Sequence, residues 1–227
     1  MQVFRNITSK FFGLFLATLL LLGSTSESYA KGSLVLLVDL SRSISDEHTE
    51  LQLESYATAM EWITPLDQFN VEVVIFGKNY QHISSGTRYD AAKAFRKDLN
   101  LDRSSTCLYD ALSYVRDVFY ALPQPVIIDI SGDGEENCNT NFQQTYDLLD
   151  SLQLMGAKVN PLMIPINRDV WHFLKDEKAL MIKERELRTY YESLIRGEGS
   201  FFMYIENFYD FEEAIIKKII REIALLR

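Results

Sequence analysis

Five apolar residues, Leu34-Val35-Leu36-Leu37-Val38, run without interruption into Asp39, Ser41 and Ser43. A Val/Leu run of this length predicts a strand buried on both faces, as in a parallel sheet with helices on each side. The next periodic stretch opens with Ser45 as a helix N-cap and with Asp46 and Glu47 in the first turn. Leu51, Tyr56, Ala59, Met60 and Ile63 follow at helical spacing up to Pro65. Val71 to Phe76 predicts a second strand, rich in β-branched residues and closed by Gly77, with Glu72 at an early, incompletely buried position. Tyr80 to Ile83 fits a short strand turning back on it, and Tyr89 to Leu99 a modest helix.

Ser104-Ser105-Thr106 reads as a hydroxyl cap on a helix whose apolar face is Leu108, Ala111, Leu112, Val115, Val118 and Phe119, ended by Pro123 and Pro125. Val126-Ile127-Ile128-Asp129-Ile130 predicts another buried strand. It runs into Ser131-Gly132-Asp133-Gly134-Glu135-Glu136-Asn137, a turn-rich loop with three acids. Asn141 to Met155 predicts a helix with Gly156 past its end, and Lys158 to Ile166 a strand weakened by Pro161 and Pro165. Residues 167–185 carry charges around Trp171, Phe173 and Leu174 and show no clear period. A helix from Arg185 to Ile195, a strand from Ser200 to Ile205 and a helix from Phe211 to Leu226 complete the chain. The last helix places Phe211, Ile215, Ile219, Ile220, Ile223 and Leu226 on one side and Lys217, Lys218 and Arg221 elsewhere. That stripe suits a helix packed over a sheet better than one lying on a membrane. Alternating strands and helices predict an α/β fold: a doubly wound, mainly parallel sheet flanked by helices.

The N-terminal stretch stands apart. Arg5 and Lys10 precede the apolar run Phe11 to Leu22, and Ser28-Tyr29-Ala30 fits a small-x-Ala cleavage site. This is the pattern of a secretory signal peptide over residues 1–30, too short for a membrane span of about 20 apolar residues. One domain, residues 31–227, is expected after it in the periplasm or outside the cell. An uncleaved N-terminal anchor is the alternative. The 227-residue chain carries a net charge of −9, and residues 1–30 hold only Arg5, Lys10 and Glu27, so the remainder is more acidic still. Such a surface argues against nucleic-acid binding, which relies on Lys and Arg at phosphates. Export puts Cys107 and Cys138 where a disulfide can persist.

The chemistry lies at strand ends. Asp39, Ser41 and Ser43 follow the first buried strand, Asp133 follows the second central one, and Thr106 opens a helix between them. In a doubly wound sheet these ends converge at a topological switch point. Asp39, Ser41, Ser43, Thr106 and Asp133 then offer five hard oxygen donors and two formal negative charges. That set suits Mg2+, with Mn2+ or Ca2+ as alternatives, and suits zinc poorly. It leaves a coordination position for a carboxylate from a partner. An Asx-type turn followed by a helix cap accounts equally for D-x-S-x-S taken alone.

The D-x-S-x-S sequence at Asp39, the later Thr106 and the later Asp133 resemble the metal-ion-dependent adhesion site of von Willebrand factor A domains, over nearly all of residues 33–226. The chain is more similar still to an uncharacterised bacterial branch of exported proteins with this fold. Val38-Asp39-Leu40-Ser41-Arg42-Ser43, Asp129-Ile130-Ser131-Gly132-Asp133-Gly134 and Tyr190-Tyr191-Glu192 carry that likeness, with Gly197-Glu198-Gly199-Ser200-Phe201 and Phe211-Glu212-Glu213-Ala214-Ile215. The resemblance implies that Ser41, Ser43 and Thr106 contact a metal and that Asp39 and Asp133 hold it partly through water. Ser104-Ser105 departs from the family, which usually has glycine before the threonine, and this sets Thr106 apart from the other four. With both loops at the metal, Cys107 and Cys138 are expected to bond across its rim; two unpaired thiols are the alternative.

The resulting expectation is an exported adhesion-type module, not an enzyme, that binds another protein through an acidic side chain. A metal-dependent phosphohydrolase using Asp39 or Asp133, or a structural domain with a vestigial site, are the alternatives. Enzyme signatures are thin. The chain has no Walker loop, no G-x-S-x-G elbow and no H-E-x-x-H pair, and His48, His82 and His172 are scattered.

Overall fold

A computed structural model describes residues 30–138, 142–166 and 176–226. The expected signal peptide and the Trp171, Phe173 and Leu174 stretch lie outside these residues. In chain order the elements are β1 (Ser33–Asp39), α1 (Asp46–Trp62), β2 (Asn70–Phe76), β3 (Tyr80–Gly86), α2 (Arg88–Phe95) and α3 (Leu108–Val118). There follow β4 (Val126–Gly132), α4 (Phe142–Leu154), β5 (Lys158–Met163), α5 (Glu177–Ser193), β6 (Met203–Tyr204) and α6 (Phe211–Leu225). Short 3-10 turns occupy Thr64–Gln68, Phe119–Ala121 and Phe208–Asp210.

The six strands form one sheet in the order β3-β2-β1-β4-β5-β6. Only β3 is antiparallel, pairing with β2 at the edge. Strand β1 lies between β2 and β4, parallel to both. Consecutive residues of a strand face opposite sides, so β1 feeds two cores. Leu34, Leu36 and Val38 pack with α1, α2 and α6, whereas Val35 and Leu37 pack with α3, α4 and α5. Burial on both faces explains why Leu34 to Val38 of β1 are all apolar instead of alternating. The chain leaves β1 in one direction toward β2 and returns on its other side as β4, so the β1 and β4 C-termini form the switch point.

Several boundaries follow local chemistry. The Ser45 hydroxyl accepts from His48 N at 3.2 Å and caps α1. Gly156 takes φ 102° just past α4, as a C-cap glycine does. Elsewhere the elements shift. Helix α2 stops at Phe95 rather than Leu99, α5 begins at Glu177, well before Arg185, and β6 spans two residues of the expected six. Helix α6 packs on the sheet as expected, although Ile220 is exposed. Among the described residues, no helix is long and apolar enough to cross a membrane.

Two polar residues sit deeper than their sequence context implies. Glu72 is buried, because Asn70 Nδ2 (2.8 Å), His82 Nε2 (2.9 Å) and the Ser85 hydroxyl all bond its carboxylate. Lys218, expected on the polar side of α6, is fully buried. Its ammonium lies 2.6 Å from Asp129 Oδ2 and 2.8 Å from Glu222 Oε1. Asn160 Nδ2 donates to the same Glu222 oxygen at 3.2 Å, and Asn160 Oδ1 accepts from Phe201 N at 3.0 Å. The network thus ties α6 to β4, β5 and the segment entering β6. Burial, then the Asp129 charge, pushes the Glu222 carboxyl up to about 8, so near neutrality it holds a proton beside the ion pair.

This network generates a stability prediction. Lys218→Met is expected to cost about 3–5 kcal/mol in urea unfolding, because it strands buried carboxylates without a cation. Glu222 binds its proton more tightly folded than unfolded, so its contribution to stability falls as pH rises from about 4.5 to about 8. Glu222→Gln should therefore gain on the wild type steadily between pH 5 and pH 8. A stability difference that does not change with pH would refute the protonated-carboxyl assignment.

Candidate metal centre

The β1 and β4 ends bring together the oxygen side chains picked out in the sequence. Asp39 is fully buried, Asp133, Ser41 and Thr106 nearly so, and Ser43 is half-buried. The Asp39 Oδ1 accepts from Ser41 N at 2.8 Å, folding the chain back just after β1. The Ser41 and Ser43 hydroxyls are 2.9 Å apart, and Ser43 Oγ donates to Asp133 Oδ1 at 2.5 Å. Thr106 arrives from the loop before α3. Its Oγ1 and the Ser43 Oγ lie 3.2 and 3.8 Å from the point a Cβ on Gly134 would occupy. A side chain at Gly132 would be impossible for a related reason, since its Cβ would fall 2.8 Å from Asp39 Oδ2 and 2.5 Å from the Tyr191 hydroxyl.

Among the described residues, Asp39 Oδ2 and Asp133 Oδ2 are buried without a hydrogen-bond partner. Burial raises both carboxyls well above the usual range; the Asp39 charge raises Asp133 further, while hydroxyl and backbone donors and the distant charge of Arg103 oppose the shift. Among the described residues no three His, Cys, Asp or Glu side chains cluster as a metal site. Only a mixed set of two carboxylates and three hydroxyls is on offer. The two orphaned oxygens and the all-oxygen donor chemistry fit a hard divalent cation.

Residues outside the sequence motif hold the loops. Arg103 spreads its guanidinium across the Asp39 loop, donating to Leu40 O (2.6 Å), Ile44 O (2.5 Å), Thr49 Oγ1 (2.9 Å) and Asp46 Oδ1 (2.6 Å). Asn137 and Thr106 exchange bonds: Thr106 N donates to Asn137 Oδ1 at 2.9 Å and Asn137 N to Thr106 O at 3.0 Å. Glu136 is buried, and its carboxylate accepts from Tyr109 N at 2.6 Å and Cys138 N at 3.0 Å. The expected hydroxyl cap on α3 is thus replaced. Cys107 occupies the cap position without a side-chain capping hydrogen bond, and the Glu136 carboxylate takes the first-turn N–H. The Tyr191 hydroxyl donates to Gly134 O at 3.1 Å, and Glu136 N donates to the Tyr190 hydroxyl at 3.2 Å. The three acids of the 131–137 loop were visible in the sequence. Arg103 gave no signal there, because its partners are backbone carbonyls some sixty residues away.

Cys107 and Cys138 form a disulfide with Cα atoms 5.1 Å apart. It joins the Thr106 loop to the Asp133 loop alongside the Thr106–Asn137 bonds. The two described histidines lie away from the site: His48 stacks on Phe208 with ring centroids 3.9 Å apart, and His82 pairs with Glu72; His172 is outside the described residues. Arg42 is exposed at the rim.

No curated protein matches this chain in sequence. Solved structures do match in fold. Proximal thread matrix protein 1 from the mussel byssus superposes with a TM-score of 0.64 at 14% identity, over 86% of this chain and 48% of that one. A second structure of that protein, with a zinc-occupied MIDAS motif, gives 0.63 at the same identity and coverage. The von Willebrand factor type A protein from Catenulispora acidiphila gives 0.59 at 15% identity, over 86% and 43%. The pilus adhesin SpaC from Lactobacillus rhamnosus GG gives 0.62 at 12% identity, over 88% and 31%. The chain spans half or less of the length of each, and at these identities the likeness establishes the fold alone. The fold is that of von Willebrand factor A domains, a mainly parallel six-stranded sheet flanked by helices. Residues 79–226, more than half of the chain and including Thr106 and Asp133, match the family described as "Protein of unknown function (DUF1194)", and the chain belongs to that family.

Proposed function

We propose that this chain is an exported, metal-ion-dependent protein-binding module. The observation that carries the reading is the pair of buried, unpartnered carboxylate oxygens of Asp39 and Asp133 among the Ser41, Ser43 and Thr106 hydroxyls. Ser41, Ser43 and Thr106 would hold the cation directly, with Asp39 and Asp133 supplying its charge balance partly through water. A divalent cation held there would supply a Lewis-acid position for an incoming oxygen ligand, and with only two protein carboxylates as charge balance the site would favour a partner's Asp or Glu as that ligand. Mg2+ is the proposed ion, with Mn2+ or Ca2+ as alternatives; the zinc-occupied motif of the mussel protein supports a divalent ion at such a site. That neighbour is a thread matrix protein and another is a pilus adhesin, which supports adhesion over catalysis. Among the described residues, His48 and His82 are both engaged away from the site, so neither supports acid–base chemistry there. Residues 1–30 are proposed to direct export, and a disulfide beside the site agrees with an oxidising compartment.

Three outcomes test this. Mg2+ should raise the thermal midpoint by several degrees, since a ligand at 100 times its Kd adds about 2.7 kcal/mol. Asp39→Asn keeps an acceptor for Ser41 N and should abolish that rise while the protein stays folded. If the variant is stabilised by Mg2+ as well as the wild type, the site is wrong.

The disulfide closes a loop with a sequence separation of 31. Replacing Cys107 and Cys138 together by Ser should lower stability by about 3–4 kcal/mol in the chain-entropy model. The same change should weaken Mg2+ binding in isothermal titration, because the Thr106 and Asp133 loops are then joined by hydrogen bonds alone. Unchanged affinity would mean that the bond does not position the site.

Capture of a partner from an envelope extract should require Mg2+ and vanish in chelator. Once identified, that partner should lose affinity when its contacting Asp or Glu is neutralised. Equal retention in excess chelator would exclude a metal-bridged contact.

A further inference from the structure

Beside the candidate metal centre, on the α4–α5 side, lies a cavity of about 360 Å³. Phe142 and Tyr146 of α4 and Tyr190 of α5 form its aromatic walls, and Glu135 and Glu186 supply two carboxylates. The aromatic rings are fixed in place. Phe142 meets Tyr190 edge-on, with centroids 6.1 Å apart and planes at 63°, and the Tyr146 hydroxyl is 3.0 Å from Ser193 Oγ. Glu135 is half-buried and paired with Lys183 at 3.0 Å; Glu186 is exposed, with no ion pair among the described residues. Among the described residues, no Lys or Arg lines the cavity. Carboxylates beside aromatic faces attract cations, and a planar guanidinium can stack on a ring while its N–H fork bonds a carboxylate. Burial raises the Tyr190 phenol, and the charges of Glu136 and Glu135 push it further up, the latter beside its partner Lys183.

The cavity is joined to the Asp133 loop by its own walls. Glu136 N donates to the Tyr190 hydroxyl at 3.2 Å, and Glu135 is only two residues beyond Asp133. Two peptide units span at most about 7.6 Å between Cα atoms, so one short peptide can reach both places. We infer that the α4–α5 cavity receives an arginine side chain of the same partner protein whose carboxylate is proposed above to complete the metal shell. The inference rests on that reading for its partner, although the cavity's preference for a cation does not need the metal.

The two are separable by experiment. In chelator, Nα-acetyl-arginine amide titrated into 15N-labelled protein should shift the amide signals of Tyr146, Glu186 and Thr189, while the neutral citrulline analogue should not. Glu186→Lys and Phe142→Ala alter exposed side chains and should each weaken arginine binding at least tenfold, with the overall spectrum retained. Equal binding of arginine and citrulline, or variants that bind like wild type, would overturn the cation pocket even where Mg2+ binding is intact. If arginine binds in chelator but Mg2+ does not bind at all, the metal reading fails and the cation pocket stands. With Mg2+ present, acetylated Arg-Ala-Glu or Glu-Ala-Arg amide should bind at least tenfold more tightly than the peptide with Glu replaced by Ala, and chelator should erase that gain. No gain in either order, with metal and arginine each binding alone, would overturn the shared partner.

Discussion

Two carboxylates buried side by side at the ends of β1 and β4 set the terms for the rest of this structure. Asp39 and Asp133 are buried, each with an oxygen left unpartnered, and among the described residues no cation forms an ion pair with them. Arg103 acts on them only from a distance, because its guanidinium is spent on the Asp39 loop's carbonyls and on Asp46 and Thr49. Carboxylates in this position either take up protons or recruit an external positive charge. The Ser41 and Ser43 hydroxyls adjoin Asp133 and the Thr106 hydroxyl lies across Gly134 from Ser43, an all-oxygen set on which the proposed hard cation rests.

A site of this kind works only if three loops from distant parts of the chain keep their relative positions, and most of the surrounding polar chemistry does that. Arg103 holds the first loop to the third-helix entry. The Asn137 amide, the Glu136 carboxylate and the disulfide fasten the second to the third. The Tyr190 and Tyr191 hydroxyls then pin the Asp133 loop to α5. Gly132 is required because any side chain there would collide with Asp39 and Tyr191. The departure from glycine before Thr106 is accommodated in this setting: Ser104 N bonds Asp102 Oδ1 at 3.0 Å, and the Thr106 hydroxyl still faces Gly134.

Behind the site, the sheet carries a second buried ionic group. Lys218, Asp129 and Glu222 sit in the core between β4, β5 and α6, with Asn160 bridging to the segment before β6. The Ser131 hydroxyl, two residues before Asp133, accepts from Tyr56 at 3.0 Å and from Gln52 at 3.3 Å on α1. The strand that delivers Asp133 is therefore fastened by polar bonds to both α1 and α6. These bonds have strict geometry, so they fix the register of the helices on the sheet more sharply than apolar contacts do.

Most elements and their kinds were legible along the chain. The apolar run Leu34 to Val38 pointed to a strand covered on both faces, the alternation of strands and helices pointed to a doubly wound sheet, and Ser45 and Gly156 marked helix ends through bonds that span three or four residues. The sequence by itself also named the oxygen side chains that the fold brings together, because residues just past buried strands must emerge at one edge of the sheet. What it could not supply were properties that depend on partners far along the chain. Glu72 and Lys218 carry charge and occur at positions where local pattern implies exposure. They are buried because His82, Ser85, Asp129 and Glu222 meet them across the fold. The cap of α3 was misassigned for the same reason: its acceptor, Glu136, comes from a loop 27 residues later rather than from the neighbouring hydroxyls. Short-range periodicity and capping are local physics and can be read along a chain. The compensation of buried charge is long-range physics, and only the tertiary structure decides it.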